Sequence, residues 1–241
     1  MIYTVGIYKG GTGKTTTAAA LAYYLDAIDP KKKTLVIDLN AQGSLSLIMA
    51  AHGRNGSIAE AIQGAKVTPE HVKTGNKLAL LPASLKLKRI REPEAVADAI
   101  REAARGYHNT IIDTPPENEE LLTGALLASD RALIPLHADI YGVQGLLQMV
   151  ALVKKIQEQR RGLKFAGAFL NEYNNRTRIS RTTREAIMKA AELEGVPFLG
   201  EVRKGVAVEE AAALRLSLFE YAKNSNTAHD FAAVFDNMLS L

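Results

Sequence analysis

Short apolar runs alternate along this chain with longer amphipathic ones, and that alternation predicts a fold. Residues 2–8 read as a buried strand, and residues 15–26 read as an Ala-rich helix with Leu21 and Leu25 one turn apart. The same rhythm places strands at residues 34–38, 78–82, 109–113, 131–136, 164–171 and 198–202. Helices fall between them. A short one is capped by Ser57 and ends near Gly64. Others are predicted at residues 94–104, after Pro115-Pro116 through Leu127, and at 141–159, 181–193, 206–214 and 227–239. Strands joined by helical crossovers imply an α/β fold, a mostly parallel twisted sheet with helices on both faces. No repeat, low-complexity tract or linker interrupts the pattern, so residues 1–241 are expected to form a single domain.

Composition narrows the picture only a little. Hydrophobic residues make up 47% of the chain, enough for a sizeable core. No apolar stretch approaches the roughly 20 residues that cross a bilayer, and the N-terminus has no secretory pattern. The absence of cysteine excludes disulfides and thiolate metal sites and fits a cytoplasmic location. The five histidines, His52, His71, His108, His137 and His229, show no metal-ligand spacing. The net charge is +4 but unevenly placed. Residues 151–205 hold 12 Lys/Arg against 6 Asp/Glu, so an anionic partner would favour that stretch.

The strongest chemical signal is Lys9-Gly10-Gly11-Thr12-Gly13-Lys14-Thr15-Thr16, lying between a predicted strand and a predicted helix. Glycines let a loop wrap closely and aim its N–H groups at phosphate oxygens, and the helix behind adds its positive end. Lys14 is placed to meet the β- and γ-phosphates, and the Thr15 hydroxyl to ligate Mg²⁺. Asp113 ends an apolar strand. A carboxylate there either holds a metal-bound water beside the loop or caps the next helix, and one residue can do both.

The general phosphate-loop spacing would require a glycine where Tyr8 stands, and the Lys-Gly-Gly-x-Gly-Lys-Thr-Thr that replaces it resembles the deviant Walker A motif of the ParA/MinD/Soj family of P-loop ATPases. Lys9 occupies the place of that family's signature lysine. The residues from Asp38 through Asn40, Gln42 and Gly43 to Ser44 resemble its first switch region, with Asp38 a further candidate at the metal. Ile111-Ile112-Asp113-Thr114-Pro115-Pro116 resembles its second. Asn171, at a strand end, resembles an adenine-contacting asparagine. Later segments, Gly142-Val143-Gln144-Gly145 and Glu210-Ala211 among them, extend the likeness over nearly the whole chain.

The resemblance implies a P-loop NTPase fold, ATP and Mg²⁺ as cofactors, and a homodimer formed on ATP binding. In that dimer Lys9 of one subunit reaches the other's phosphates. It also implies catalytic roles for Lys9, Lys14, Asp38 and the residue at position 40. The family usually has a second Asp there and Pro at Ala41. Asparagine keeps the size and hydrogen bonds but not the charge, which implies slow hydrolysis with ATP binding retained. Members of the ParA branch bind double-stranded DNA without sequence preference and answer to a ParB-like activator. That implies a nucleoid-associated protein, with Arg176, Arg178, Arg181, Arg184, Arg203, Lys204 and Arg215 as candidate phosphate contacts and Lys154, Lys155, Arg160, Arg161 and Lys223 beside them. These cations could instead form ordinary solvated helix flanks. The MinD branch, acting at a membrane or on another cargo, is the alternative. Its anchor is a basic amphipathic C-terminal helix, whereas residues 227–241 carry no Lys or Arg and read as a core-packing helix, which argues against a membrane partner.

Overall fold

A computed structural model describes residues 1–51, 53–116 and 118–241, so His52 lies outside the described residues. In chain order the first half runs β1 Ile2–Val5, α1 Lys14–Ile28, β2 Thr34–Asp38, α2 Ser44–Ile48, α3 Ile58–Ile62, β3 Glu70–His71, β4 Leu78–Leu81, α4 Pro93–Ala103 and β5 Asn109–Asp113. The second half runs α5 Glu119–Ala128, β6 Arg131–Leu136, α6 Gly142–Gln159, β7 Lys164–Tyr173, α7 Arg178–Glu194, β8 Phe198–Arg203, α8 Val206–Leu214, α9 Leu218–Tyr221 and α10 Asn226–Leu239.

The strands form one sheet in the order β3-β4-β2-β5-β1-β6-β7-β8. Every pairing is parallel except that of the two-residue edge strand β3, which runs antiparallel to β4. Successive side chains on a strand point to opposite faces, and each face has its own helices. Leu35, Ile37, Ile112, Ala132, Ile134, Leu136, Ala168 and Leu170 join α4, α5, α6 and α7 on one side. Tyr3, Val5, Val36, Ile111, Leu133, Ala166 and Phe169 join α1 and α10 on the other. Small residues bring α1 close to the sheet, with Ala18, Ala20 and Ala22 almost wholly buried. On α10, Phe231 and Phe235 stack with ring centroids 5.6 Å apart, and Phe169 of β7 meets Phe231 edge-on at 6.3 Å.

The expected fold class holds, and most element ends lie within a residue or two of the pattern. Ser57 and Glu60 form a reciprocal capping box at the start of α3. Three boundaries differ for local reasons. β1 stops at Val5 because the chain must leave the sheet to form the loop that follows. β7 continues past Asn171 to Tyr173, with Glu172 at φ 52. The Thr177 side chain accepts from the Ser180 N–H, so α7 begins at Arg178 rather than Arg181. The short elements α2, β3 and α9 carry too few residues for a period to be read, and the sequence pattern does not predict them.

What matters for function is the middle of the sheet. From β1 the chain crosses to β2 on one side, while β5 hands on to β6 on the other. The carboxyl ends of β1, β2, β5 and β6 therefore border a crevice at a topological switch point, where open α/β sheets bind ligands.

Candidate nucleotide site

The loop from Lys9 to Thr16 fills that crevice. Gly11 (φ 74) and Gly13 (φ 86) both take left-handed backbone that favours glycine. Gly13 is also tied to its place by contact: a Cβ there would collide with Nδ2 of Asn171. That same Nδ2 donates to the Thr12 carbonyl at 3.1 Å. Asn171 thus clasps the loop from β7, a role that its place at a strand end does not disclose. Immediately after Gly13, α1 begins, and its first backbone bond runs from Thr17 N–H to Gly13 O at 2.8 Å.

Lys14 lies under the loop, only 6% exposed, and its Nζ donates to the Lys9 carbonyl at 2.7 Å. Burial pulls its pKa down to about 8, against the upward pull of Asp113. Asp113 and Asp38 end adjacent strands in direct register, and neither has measurable exposure. Asp38 is well satisfied. Its Oδ1 accepts from Asn40 N–H (3.0 Å), and its Oδ2 from the N–H (2.8 Å) and hydroxyl (2.7 Å) of Ser46. Burial nevertheless raises its pKa. Asp113 accepts the Thr15 hydroxyl through Oδ2 at 2.7 Å, while its buried Oδ1 has no hydrogen-bond partner among the described residues. Burial, and then the neighbouring Asp38 carboxylate, hold Asp113 well above the usual carboxylate range.

Two buried acids side by side with one lysine are an unfavourable arrangement that a divalent cation relieves. The donor set fits Mg²⁺: a threonine hydroxyl, a carboxylate with a free oxygen, and loop N–H groups for phosphate. Among the described residues no cluster of three or more His, Cys, Asp or Glu forms a cage.

Asn40 lies half-buried beyond Asp38, with its Oδ1 accepting from Gln42 N–H at 3.1 Å. Lys9 points the other way, out of its own loop. It pairs with Asp139, and its Nζ lies 5.2 Å from the Tyr141 ring centroid. Behind the loop, Thr16, Asn171, Arg203, Lys204, Val208 and Phe231 help line a small cleft of about 80 Å³.

The basic candidates only partly converge. Arg176, Arg203 and Lys204 share a groove at the carboxyl ends of β7 and β8, and Arg178 and Arg181 follow on the first turns of α7. Acids temper this groove. Arg203 forms a two-pronged pair with Asp230 (2.7 Å for each prong), Arg184 pairs with Glu201, and Lys204 lies 3.8 Å from Glu172. Arg181 donates to the Asn175 carbonyl at 2.8 Å. Arg215 is exposed at the end of α8, outside the groove. Lys154 pairs with Glu194 at 2.6 Å. Arg160 corrects the expectation that it would join this face. It bonds the Leu127 carbonyl and, at 3.1 Å, Asp130, which precedes β6 at the opposite end of the sheet.

A parallel sheet with a glycine loop, a buried lysine and a Thr–Asp pair at the end of its central strands defines a P-loop nucleotide-binding protein. Comparison with known proteins takes the assignment further. Residues 1–165 match the family model described as an AAA domain. The Thermus thermophilus chromosome-partitioning ATPase Soj is 29% identical over 239 residues, which span 96% of this chain and 92% of that one. The Myxococcus xanthus chromosome partitioning protein ParA is 31% identical over 200 residues, covering 77% and 70% of the two chains. Among solved structures, a Cyanothece McdA(D38A)–ATP complex superposes with a TM-score of 0.85 at 18% identity, over 99% of this chain and 95% of that one. The chain belongs to the ParA/MinD/Soj family of P-loop ATPases.

The raised pKa of Asp113 has a sign that can be tested. An acid held protonated by the fold contributes stability that is full below its unfolded pKa and is lost as pH rises through the folded value. Nucleotide-free Asp113→Asn is therefore expected to melt above the parent protein, with the gap in Tm widening from about pH 5 to about pH 8. A gap that stays constant or narrows, measured by scanning calorimetry, contradicts the buried-acid description.

Proposed function

We propose that this chain is a partitioning ATPase that pairs into a nucleotide-sandwich dimer on binding Mg-ATP, and that the dimer binds DNA without sequence preference. The observation that carries the reading is the division of labour between two lysines on one loop. Lys14 is buried beneath the loop, where it serves its own subunit's phosphates. Lys9 sits at the rim, partly exposed and paired with Asp139, on the side from which it would serve another's. A cation added to the triphosphate only when two subunits meet makes ATP part of the interface.

In this reading the N–H groups from Gly10 to Thr16 cradle the phosphates, and Thr15 and Asp113 hold the metal, with Asp38 behind them. Bound Mg²⁺ would neutralise charge on the terminal phosphates. With its Nδ2 committed to the Thr12 carbonyl, Asn171 offers Oδ1 to the exocyclic amine of adenine at the edge of the cleft. Asn40 orients the attacking water but cannot take its proton, so turnover is slow and the dimer long-lived.

DNA contact belongs to the end of the sheet where β7 and β8 finish, in the cytoplasm and on the nucleoid. The side chains of Arg176, Arg178 and Arg215 have no acidic partner among the described residues, so they contribute more than Arg184 and Arg203, whose charges are already paired. A ParB-like protein is the expected stimulator of release. The MinD-like alternative is weaker because the apolar side of α10 is already used: Phe231, Val234, Phe235 and Met238 are buried against the sheet. No described helix is long and apolar enough to cross a membrane.

DNA binding measured by anisotropy should require Mg-ATP and weaken steeply with salt. Replacing Arg176, Arg178 and Arg181 together by Ala should flatten the plot of log affinity against log salt by roughly 0.9 for each phosphate that is no longer neutralised. Binding that is equal with and without nucleotide, or an unchanged slope, contradicts the proposal. Asn40→Asp should raise phosphate release by about a hundredfold or more, the contribution typical of general-base catalysis. Unchanged turnover would mean that the residue at position 40 does not limit the reaction.

A further inference from the structure

The rim lysine is not loose in the nucleotide-free fold. Lys9 pairs with Asp139, and its ammonium lies over the Tyr141 ring, 5.2 Å from the centroid. Both partners sit in the tight turn between β6 and α6. Asp139 is itself fixed there: its Oδ1 accepts the Tyr141 N–H at 3.0 Å, and its carbonyl accepts the Gly142 N–H at 3.0 Å. The turn has no slack, because a Cβ on Gly142 would stand 2.5 Å from the His137 carbonyl. About a third of each charged side chain remains exposed, so the pair is neither locked in the core nor fully screened by water. The neighbouring Lys9 ammonium also holds the Asp139 carboxyl below its usual range, despite the opposing effect of burial.

One ammonium cannot serve Asp139 of its own chain and the phosphates of another at the same time. We infer that Asp139 is a positioning residue that holds Lys9 in cis, so that pairing of two subunits requires this contact to exchange for the partner's triphosphate. The inference rests on the dimer reading above. The contact sets a threshold. Each protomer must release its lysine, and a ligand shifts the equilibrium only by its preference for the released state. A single chain with ATP stays closed at the rim, and only a second chain bearing ATP supplies a stronger acceptor for the same cation. Tyr141 supports the held position through its ring face, a contact that a released lysine forfeits.

The test has two readouts, with Asp139→Asn and Asp139→Glu as the variants. The first is acetylation of Lys9 by an N-hydroxysuccinimide ester in nucleotide-free protein, followed by mass spectrometry of the loop peptide. Loss of the pair in Asp139→Asn should speed labelling of Lys9 several-fold, with other lysines unchanged, and Asp139→Glu should restore the slow rate. The second is the protein concentration at half-dimer with a non-hydrolysable ATP analogue and Mg²⁺, measured by sedimentation velocity. Released from its cis contact, Asp139→Asn should pair at a concentration lower by about fivefold or more. Unchanged labelling, or pairing that is unchanged or weaker in Asp139→Asn, overturns the inference. Lys9→Ala is the control that separates the two levels. If it dimerises like the parent protein, the dimer reading itself fails. If it stays monomeric while Asp139→Asn behaves like the parent, only the cis contact is refuted.

Discussion

Two carboxylates buried side by side at the ends of β2 and β5 are the constraint around which this molecule is arranged. Parallel pairing sets Asp38 opposite Asp113, and the helices on both faces remove them from water. Asp38 is quieted by Ser46 and the Asn40 N–H, but Asp113 keeps an oxygen with no partner among the described residues, and the neighbouring cation, Lys14, is itself shifted by burial. Without a ligand this corner of the fold is electrostatically incomplete. A divalent cation and a polyphosphate together add the positive charge, the acceptors for the loop N–H groups and the counter-charge for Lys14. Stability is given up locally so that binding can restore it.

Around that corner the loop is positioned by long-range contacts rather than by its own stiffness. Asn171 reaches from β7 to hold the Thr12 carbonyl, and the turn after β6 holds Lys9. Both contacts come from strands on the same side of β1, so β6 and β7 set the loop's shape. The acids on β2 and β5 set its charge from the other side. The candidate nucleotide site is therefore shared across the sheet's centre, which is why the switch point matters more than any single motif.

Much of this is legible in the sequence, for definite reasons. Strands buried on both faces give apolar runs whose ends are marked by Asp38 and Asp113, and the loop's glycines, lysines and threonines stand at fixed offsets, so the fold and a candidate phosphate loop can be placed by residue number. The contacts that cannot be read join residues far apart in the chain. Nothing in the spacing of Lys9 and Asp139, or of Arg203 and Asp230, shows that the folded sheet brings them together. The same is true of Arg160, whose place in a basic stretch suggests one face while its bonds to Leu127 and Asp130 tie it to the other end of the sheet. A local signal is available at Asp139, two residues before Tyr141 and just ahead of a glycine-led helix, where an Asx turn is common. It speaks only to the turn and not to the lysine that the turn holds.

The central claim is that Lys9 acts between subunits while Lys14 acts within one. Its most direct test is the mass of the protein by light scattering, with and without a non-hydrolysable Mg-ATP analogue, for the parent chain and for Lys9→Ala. The account predicts a doubling of mass on adding nucleotide to the parent, and a monomer at every condition for Lys9→Ala even though that variant still binds the analogue. A parent protein that stays monomeric with saturating analogue, or a Lys9→Ala variant that doubles its mass as the parent does, would contradict it.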